Sequence, residues 1–135
     1  MIASHDQYFG EIIRTVEAIV PQTLVAVISW EGLVLRSNVS DEHVESQFGA
    51  LASVFLDQGK RMFTIPFDGK KPQPDTVQTM VTVGTKHVII MTQLLPGILL
   101  AVSSDDKSKI NTFLTCTLEE VDKLHAMIAK KEIIF

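Results

Sequence analysis

Hydrophobic and polar positions alternate along this chain with two periods. Phe9, Ile12, Ile13, Val16, Ile19 and Val20 recur at helical spacing behind Ser4 and Gln7, which resemble a capping box, and Pro21 stops the run. The period then shortens. Residues 24–30 and 33–36 are apolar and β-branched around Glu31-Gly32, where glycine accepts the positive φ of a tight turn, so a β-hairpin is expected. A long second helix is predicted over 41–63, with Ser40 as a candidate N-cap. On it Val44, Phe48, Leu51, Phe55 and Met62 share one side, and Ser46, Gly49, Ala50, Ser53 and Asp57 fall on roughly the opposite side. Small residues where a solvated face would carry Glu, Lys and Arg are read as a second packing surface.

The stretch 64–75 (TIPFDGKKPQPD) reads as a loop, mobile at its Lys70-Lys71 tip. Strands are expected over 76–83, 87–94 and 98–103, joined by Gly84-Thr85-Lys86 and Pro96-Gly97. A third helix starts near Ser104–Asp106 with Ile110, Phe113, Leu114, Thr117, Val121, Leu124 and Ile128 as its stripe, and the apolar tail 132–135 is suited to docking. The order helix, hairpin, helix, three-stranded meander, helix predicts an α+β fold (α-ββ-α-βββ-α) with a five-stranded antiparallel sheet flanked by helices, as one domain over 1–135.

Composition narrows the function. Apolar residues make up 46% and charged residues 21%, which excludes disorder. A formal net charge of −4 argues against a nucleic-acid surface, and nothing points to membrane insertion. The longest stretch free of Lys, Arg, Asp and Glu runs from His87 to Ser104, and Pro96-Gly97 breaks it into two strands rather than one spanning helix. No signal peptide is read at the N-terminus. The single cysteine, Cys116, fits a reducing, cytoplasmic compartment, and its mid-helix setting gives no reason for a nucleophile.

Catalytic chemistry is missing. No phosphate-cradling glycine loop occurs, the four histidines are scattered, and neither a metal nor a cofactor is expected. Asp105-Asp106 and Glu119-Glu120 read as a cap and a solvated face. Trp30 reads as a packing residue, with ligand stacking as its other use. The protein is therefore expected not to be an enzyme. One geometric clue remains: the meander's first strand, with Val77, Thr79, Val81 and Val83 alternating with Gln78, Met80 and Thr82, would lie at a sheet edge without the Lys, Pro or bulge that usually guards one. A partner strand is expected there, most simply a second copy across a two-fold axis.

These features together resemble the Roadblock family (the dynein light chain type). The resemblance covers roughly residues 5–130 and is carried by TLVAVISWEGLVLRSN, VESQFGALASVFLDQGKRM and VQTMVTVGTKHVIIMTQLLPGILLAVSS; the 64–75 loop is longer than the family's usual connection. It implies a homodimer, or a heterodimer with a paralogue, that serves as a non-enzymatic platform for a small Ras-like GTPase. Carried over by position, the dimer contacts are Ser46, Gly49, Ala50, Ser53 and Asp57 on the helix and Val77, Thr79 and Val81 on the strand, so that Ala50→Arg should break the seam. A GTPase would face the outer surface near Gln47 and Val54. Two other readings are a PAS- or GAF-type sensor, which usually has more helices between hairpin and meander, and a longin-like platform, which the helix before the hairpin disfavours.

Overall fold

The computed structural model describes residues 3–66, 68–72 and 75–134. In chain order the elements are β1 (Ala3–Ser4), α1 (His5–Glu17), β2 (Leu24–Ser29), β3 (Val34–Ser37), α2 (Glu42–Met62), β4 (Thr79–Val83), β5 (Val88–Leu95), β6 (Ile98–Ser104), α3 (Ile110–Ala129) and β7 (Ile133–Ile134). The expected α+β arrangement is present: five antiparallel strands in the order β3-β2-β6-β5-β4, with helices on both faces.

Local chemistry sets the element ends. Ser4 Oγ accepts from Gln7 N at 3.2 Å, and this helix closes at Ala18, so Ile19 and Val20 continue its stripe from the following turn. Asp41, rather than Ser40, caps α2, accepting from His43 N at 2.9 Å and Val44 N at 3.3 Å. The hairpin turn is one residue longer than expected. Gly32 N donates to Ser29 O, Ser29 N donates to Leu33 O, and Gly32 takes φ +89°, the left-handed position of a type I turn followed by a bulge. Phe67, Gln73 and Pro74 of the 64–75 loop lie outside the described residues.

The inner strands β2, β5 and β6 are apolar on both sides because both sides are covered. Val25, Val27, Val88, Ile90, Leu100 and Val102 pack beneath α1 and α3 with Tyr8, Phe9, Phe113 and Leu124. Ala26, Ile28, Met91, Leu99 and Ala101 pack beneath α2 with Ala52 and Leu56. A feature not read from the pattern joins the chain's ends: β1 and β7 form a separate parallel pair, Ala3 opposite Ile133 and Ser4 opposite Ile134. Ile133 is buried in the larger core, which accounts for part of the apolar tail; Phe135 lies outside the described residues. No helix among the described residues is long and apolar enough to cross a membrane.

Tyr8 lies in that larger core and its hydroxyl donates to Glu120, at 2.9 Å to the backbone oxygen and 3.2 Å to Oε2. Burial, then the Glu120 carboxylate, pushes its ionisation far above the ordinary tyrosine value. The phenolate is thus disfavoured in the fold relative to the unfolded chain. The corresponding stability is complete below about pH 10 and is lost as pH rises beyond it. Since Tyr8 is the only tyrosine, ultraviolet titration of the phenolate should coincide with alkaline unfolding rather than precede it. A phenolate that appears near pH 10 in still-folded protein would remove Tyr8 from the core.

Candidate interaction surface

The placement of α2 decides which of its sides is free. A Cβ added at Gly49 would lie 2.6 Å from Gly32 O and 2.8 Å from Val34 Cγ2, so the helix backbone rests directly on the hairpin. One turn further, Ser53 Oγ donates to Trp30 O at 2.6 Å, and Ala52 and Leu56 are buried beneath the helix. Small residues are needed here because any longer side chain would lift α2 off its own sheet. Gly49 and Ser53 thus both contact the hairpin of their own chain. Ser46, Ala50 and Asp57 are exposed on that flank, and Asp57 pairs with Arg61 at 2.9 Å.

The bulky side is consequently turned outward. Val44, Leu51, Phe55 and Met62 are exposed, with Leu51 53% and Phe55 44% accessible, and Phe48 is half-buried. An amphipathic reading assigns such a stripe to the core; the structure reverses it. Phe48, Leu51, Ala52 and Phe55 line a narrow trough of about 80 Å³ whose other wall is Ile89 and Met91 of β5. Beside it, Met80 and Thr82 of β4 stand opposite Met91 and Ile89 on the same sheet face.

The strand β4 occupies the edge anticipated for it. Gln93 N donates to Gln78 O at 2.8 Å and Gly84 N donates to His87 O at 2.8 Å, so the even-numbered residues bond β5. By alternation, the amides and carbonyls of Thr79, Val81 and Val83 point away from the sheet. Val81 is 38% and Val83 55% accessible, whereas Thr79 is half-buried. Val77 differs. It precedes the strand, and its side chain is buried beneath α2 with Leu56 and Met91.

Gln47 and Val54, seven residues apart, are both exposed along one line of the outer side of α2. No group of three or more potential metal ligands occurs among the described residues. Cys116 is half-buried near α1, and burial followed by Glu120 and Glu119 pushes its thiol up. Its thiolate is therefore scarce at neutral pH, and a thiol reagent such as a disulfide dye should react with it more slowly than with free cysteine. Reaction at the free-cysteine rate would contradict that environment.

Known structures settle the fold. The Roadblock/LC7 domain from Streptomyces avermitilis superposes with a TM-score of 0.68 over 94% of this chain and 99% of that one, at 18% identity. MglB from Myxococcus xanthus gives 0.73 over 97% and 95%, at 11% identity. The gliding protein MglB from Thermus thermophilus gives 0.72 over 92% and 90%, at 10% identity. The chain has the Roadblock/LC7 fold. No family model and no curated protein matches its sequence. Identities this low carry the Roadblock architecture and no individual residue, so the roles of particular positions rest on this chain's own geometry. What the amphipathic pattern missed is the free side of α2. The signal that could have revealed it is a pair of glycines, Gly32 in the turn and Gly49 in the helix, which together mark a close backbone crossing.

Proposed function

We propose that this protein is a cytoplasmic, homodimeric, non-catalytic platform for a small Ras-like GTPase. The observation that carries the reading is the adjacency of two unfinished surfaces, the open β4 edge and the apolar trough between α2 and β5. Two copies related by a two-fold axis would pair β4 with β4 through the backbone of Thr79 and Val81, merging the sheets. The bulky flank of each α2 (Phe48, Leu51 and Phe55) would then cover the other's trough. A stable interface buries about 800 Å² per partner, which an edge strand plus one long helix flank can supply. Ser46, Ala50 and Asp57, on the opposite flank, lie outside this seam.

The assembly is supported by a solved MglB with a tetrameric arrangement, a protein of the same fold. The GTPase partner rests on the resemblance to the Roadblock family, and the exposed line through Gln47 and Val54 would be the facing surface. Without catalytic groups, such a platform acts by binding one nucleotide state of the GTPase more tightly than the other. Size-exclusion chromatography with candidate GTPases, each loaded with GDP or a GTP analogue, tests this. Co-elution in one nucleotide state is the expected result, and no co-elution with any GTPase encoded beside this protein would count against it.

A further inference from the structure

The C-terminal end of α2 and the loop behind it form a projecting surface that neither the proposed seam nor the line through Gln47 and Val54 uses. Every described residue from Arg61 to Lys71 is exposed. Phe63 N donates to Lys60 O, Thr64 N to Arg61 O and Ile65 N to Met62 O, so the helix closes in a tight turn of 3₁₀ spacing. Side chains three apart eclipse in such a turn. Met62 and Ile65 therefore stand on one side of it, 69% and 63% accessible, and Phe63 beside them is also exposed. Further on, Asp68 and Gly69 take φ of +53° and +69°, the two positive values found at the centre of a type I′ turn. Apart from its chain neighbours, no described atom lies within 4 Å of where a Cβ on Gly69 would be. This tip stands clear of the protein, and Lys70 and Lys71 follow it.

Charge sets the region apart. From Asp57 to Lys71 four cations stand against two carboxylates, a net +2, whereas the rest of the chain carries eight against fourteen, a net −6. Lys60 is held over the Trp30 ring. Arg61 shares Asp57 in an exposed pair, which holds it only weakly, so Arg61, Lys70 and Lys71 are the cations beside the apolar turn. Shape narrows the partner further. Protein interfaces seat apolar anchors in well-packed pockets, but here apolar side chains and cations project together from a convex end, the pattern of a peripheral membrane contact. We propose that this end of the protein docks on an anionic lipid surface. Met62, Phe63 and Ile65 enter the boundary between headgroups and acyl chains, and Arg61, Lys70 and Lys71 meet the lipid phosphates and carboxylates. The acidic remainder of the chain is repelled by the same surface, which turns this end toward it. The inference does not rest on the platform reading: it uses no seam residue, and one protomer suffices.

Sedimentation of the intact protein with vesicles tests it. Phosphatidylcholine vesicles rich in phosphatidylserine should carry the protein down saturably and less so as salt is raised, and pure phosphatidylcholine should carry down at least about tenfold less. Free phosphoserine at the same headgroup concentration should not displace it, because a soluble headgroup offers no apolar interior. Met62→Ser with Ile65→Ser, and separately Lys70→Gln with Lys71→Gln, should each lower the partition by about tenfold or more. Their unfolding midpoints should not change, since all four side chains are exposed. Lys130→Gln with Lys131→Gln, the same loss of charge at another exposed place, should alter the partition by less than about twofold. No binding to the serine lipid, equal binding to both vesicles, displacement by phosphoserine, undiminished partition in either loop or turn variant, or an equal loss in the Lys130, Lys131 control would each overturn the assignment. Self-association and GTPase co-elution read other residues, so failure here leaves the platform reading untouched, and the converse holds.

Discussion

Gly49→Val is expected to lower the unfolding free energy by about 3 kcal/mol or more, the largest effect of any single change on the surface of α2. A side chain at this position meets a backbone carbonyl, Gly32 O, and the methyl of Val34, at 2.6 and 2.8 Å from its first carbon. Neither can yield cheaply, because Gly32 sits in a hairpin turn at φ +89° and Val34 is in β3. Valine would recover only a few tenths of a kcal/mol through its better helix propensity, far less than overpacking costs. Urea unfolding at fixed protomer concentration, followed by circular dichroism, would measure it, with exposed Ser46→Ala as the neutral control. A Gly49→Val protein within about 0.5 kcal/mol of the parent would mean that α2 does not rest on the hairpin.

The second large effect is on assembly. Leu51→Glu with Phe55→Glu should weaken self-association at least about a hundredfold, while leaving the folded protomer intact. Both side chains are already about half accessible within one protomer, so their replacement there is mild. At a seam, each would bury an unpaired carboxylate at a cost of several kcal/mol, and about 1.4 kcal/mol is tenfold in affinity. Val81→Pro attacks the same seam through the backbone. Its N–H points away from β5, so proline removes an outward donor without breaking the existing ladder, the one setting in which an edge strand tolerates it. Ala50→Arg, which the sequence pattern marked as disruptive, should now leave the dimer unchanged because it lies on the other flank. Light scattering over a concentration series distinguishes the cases. Dissociation by Ala50→Arg combined with an intact Leu51→Glu, Phe55→Glu dimer would reinstate the small-residue seam; a parent protein that stays monomeric at high concentration would remove both.

Much of the architecture was legible from local signals. The Ser4 cap and the strand runs follow from short-range chemistry, because capping, turn conformation and two-residue alternation act within a few residues of one another, and the edge position of β4 follows from the order of elements, a meander whose last strand pairs with the hairpin. The setting of the candidate surface was legible only in part. Thr79 and Val81 lie on the edge strand as the pattern suggests, whereas the burial of Val77 beneath α2 and the contacts of Gly49 and Ser53 with their own hairpin are visible only in the folded chain. Trp30 was read as packing, and its fixed carbonyl fits that reading, yet its unpaired Nε1 is visible only once the neighbours are in place.

The sequence by itself determined which segments become helices and strands, their order, and the lack of a bound metal's or nucleotide's motif, since each depends on residue type and spacing along the chain. Only the tertiary structure decided which side of α2 meets the sheet. A helical stripe states that two faces differ, not which one is inside. That choice went to the side able to approach the Gly32 turn most closely, where van der Waals contact with the hairpin backbone excludes bulk, and it left Leu51 and Phe55 facing solvent beside an open strand.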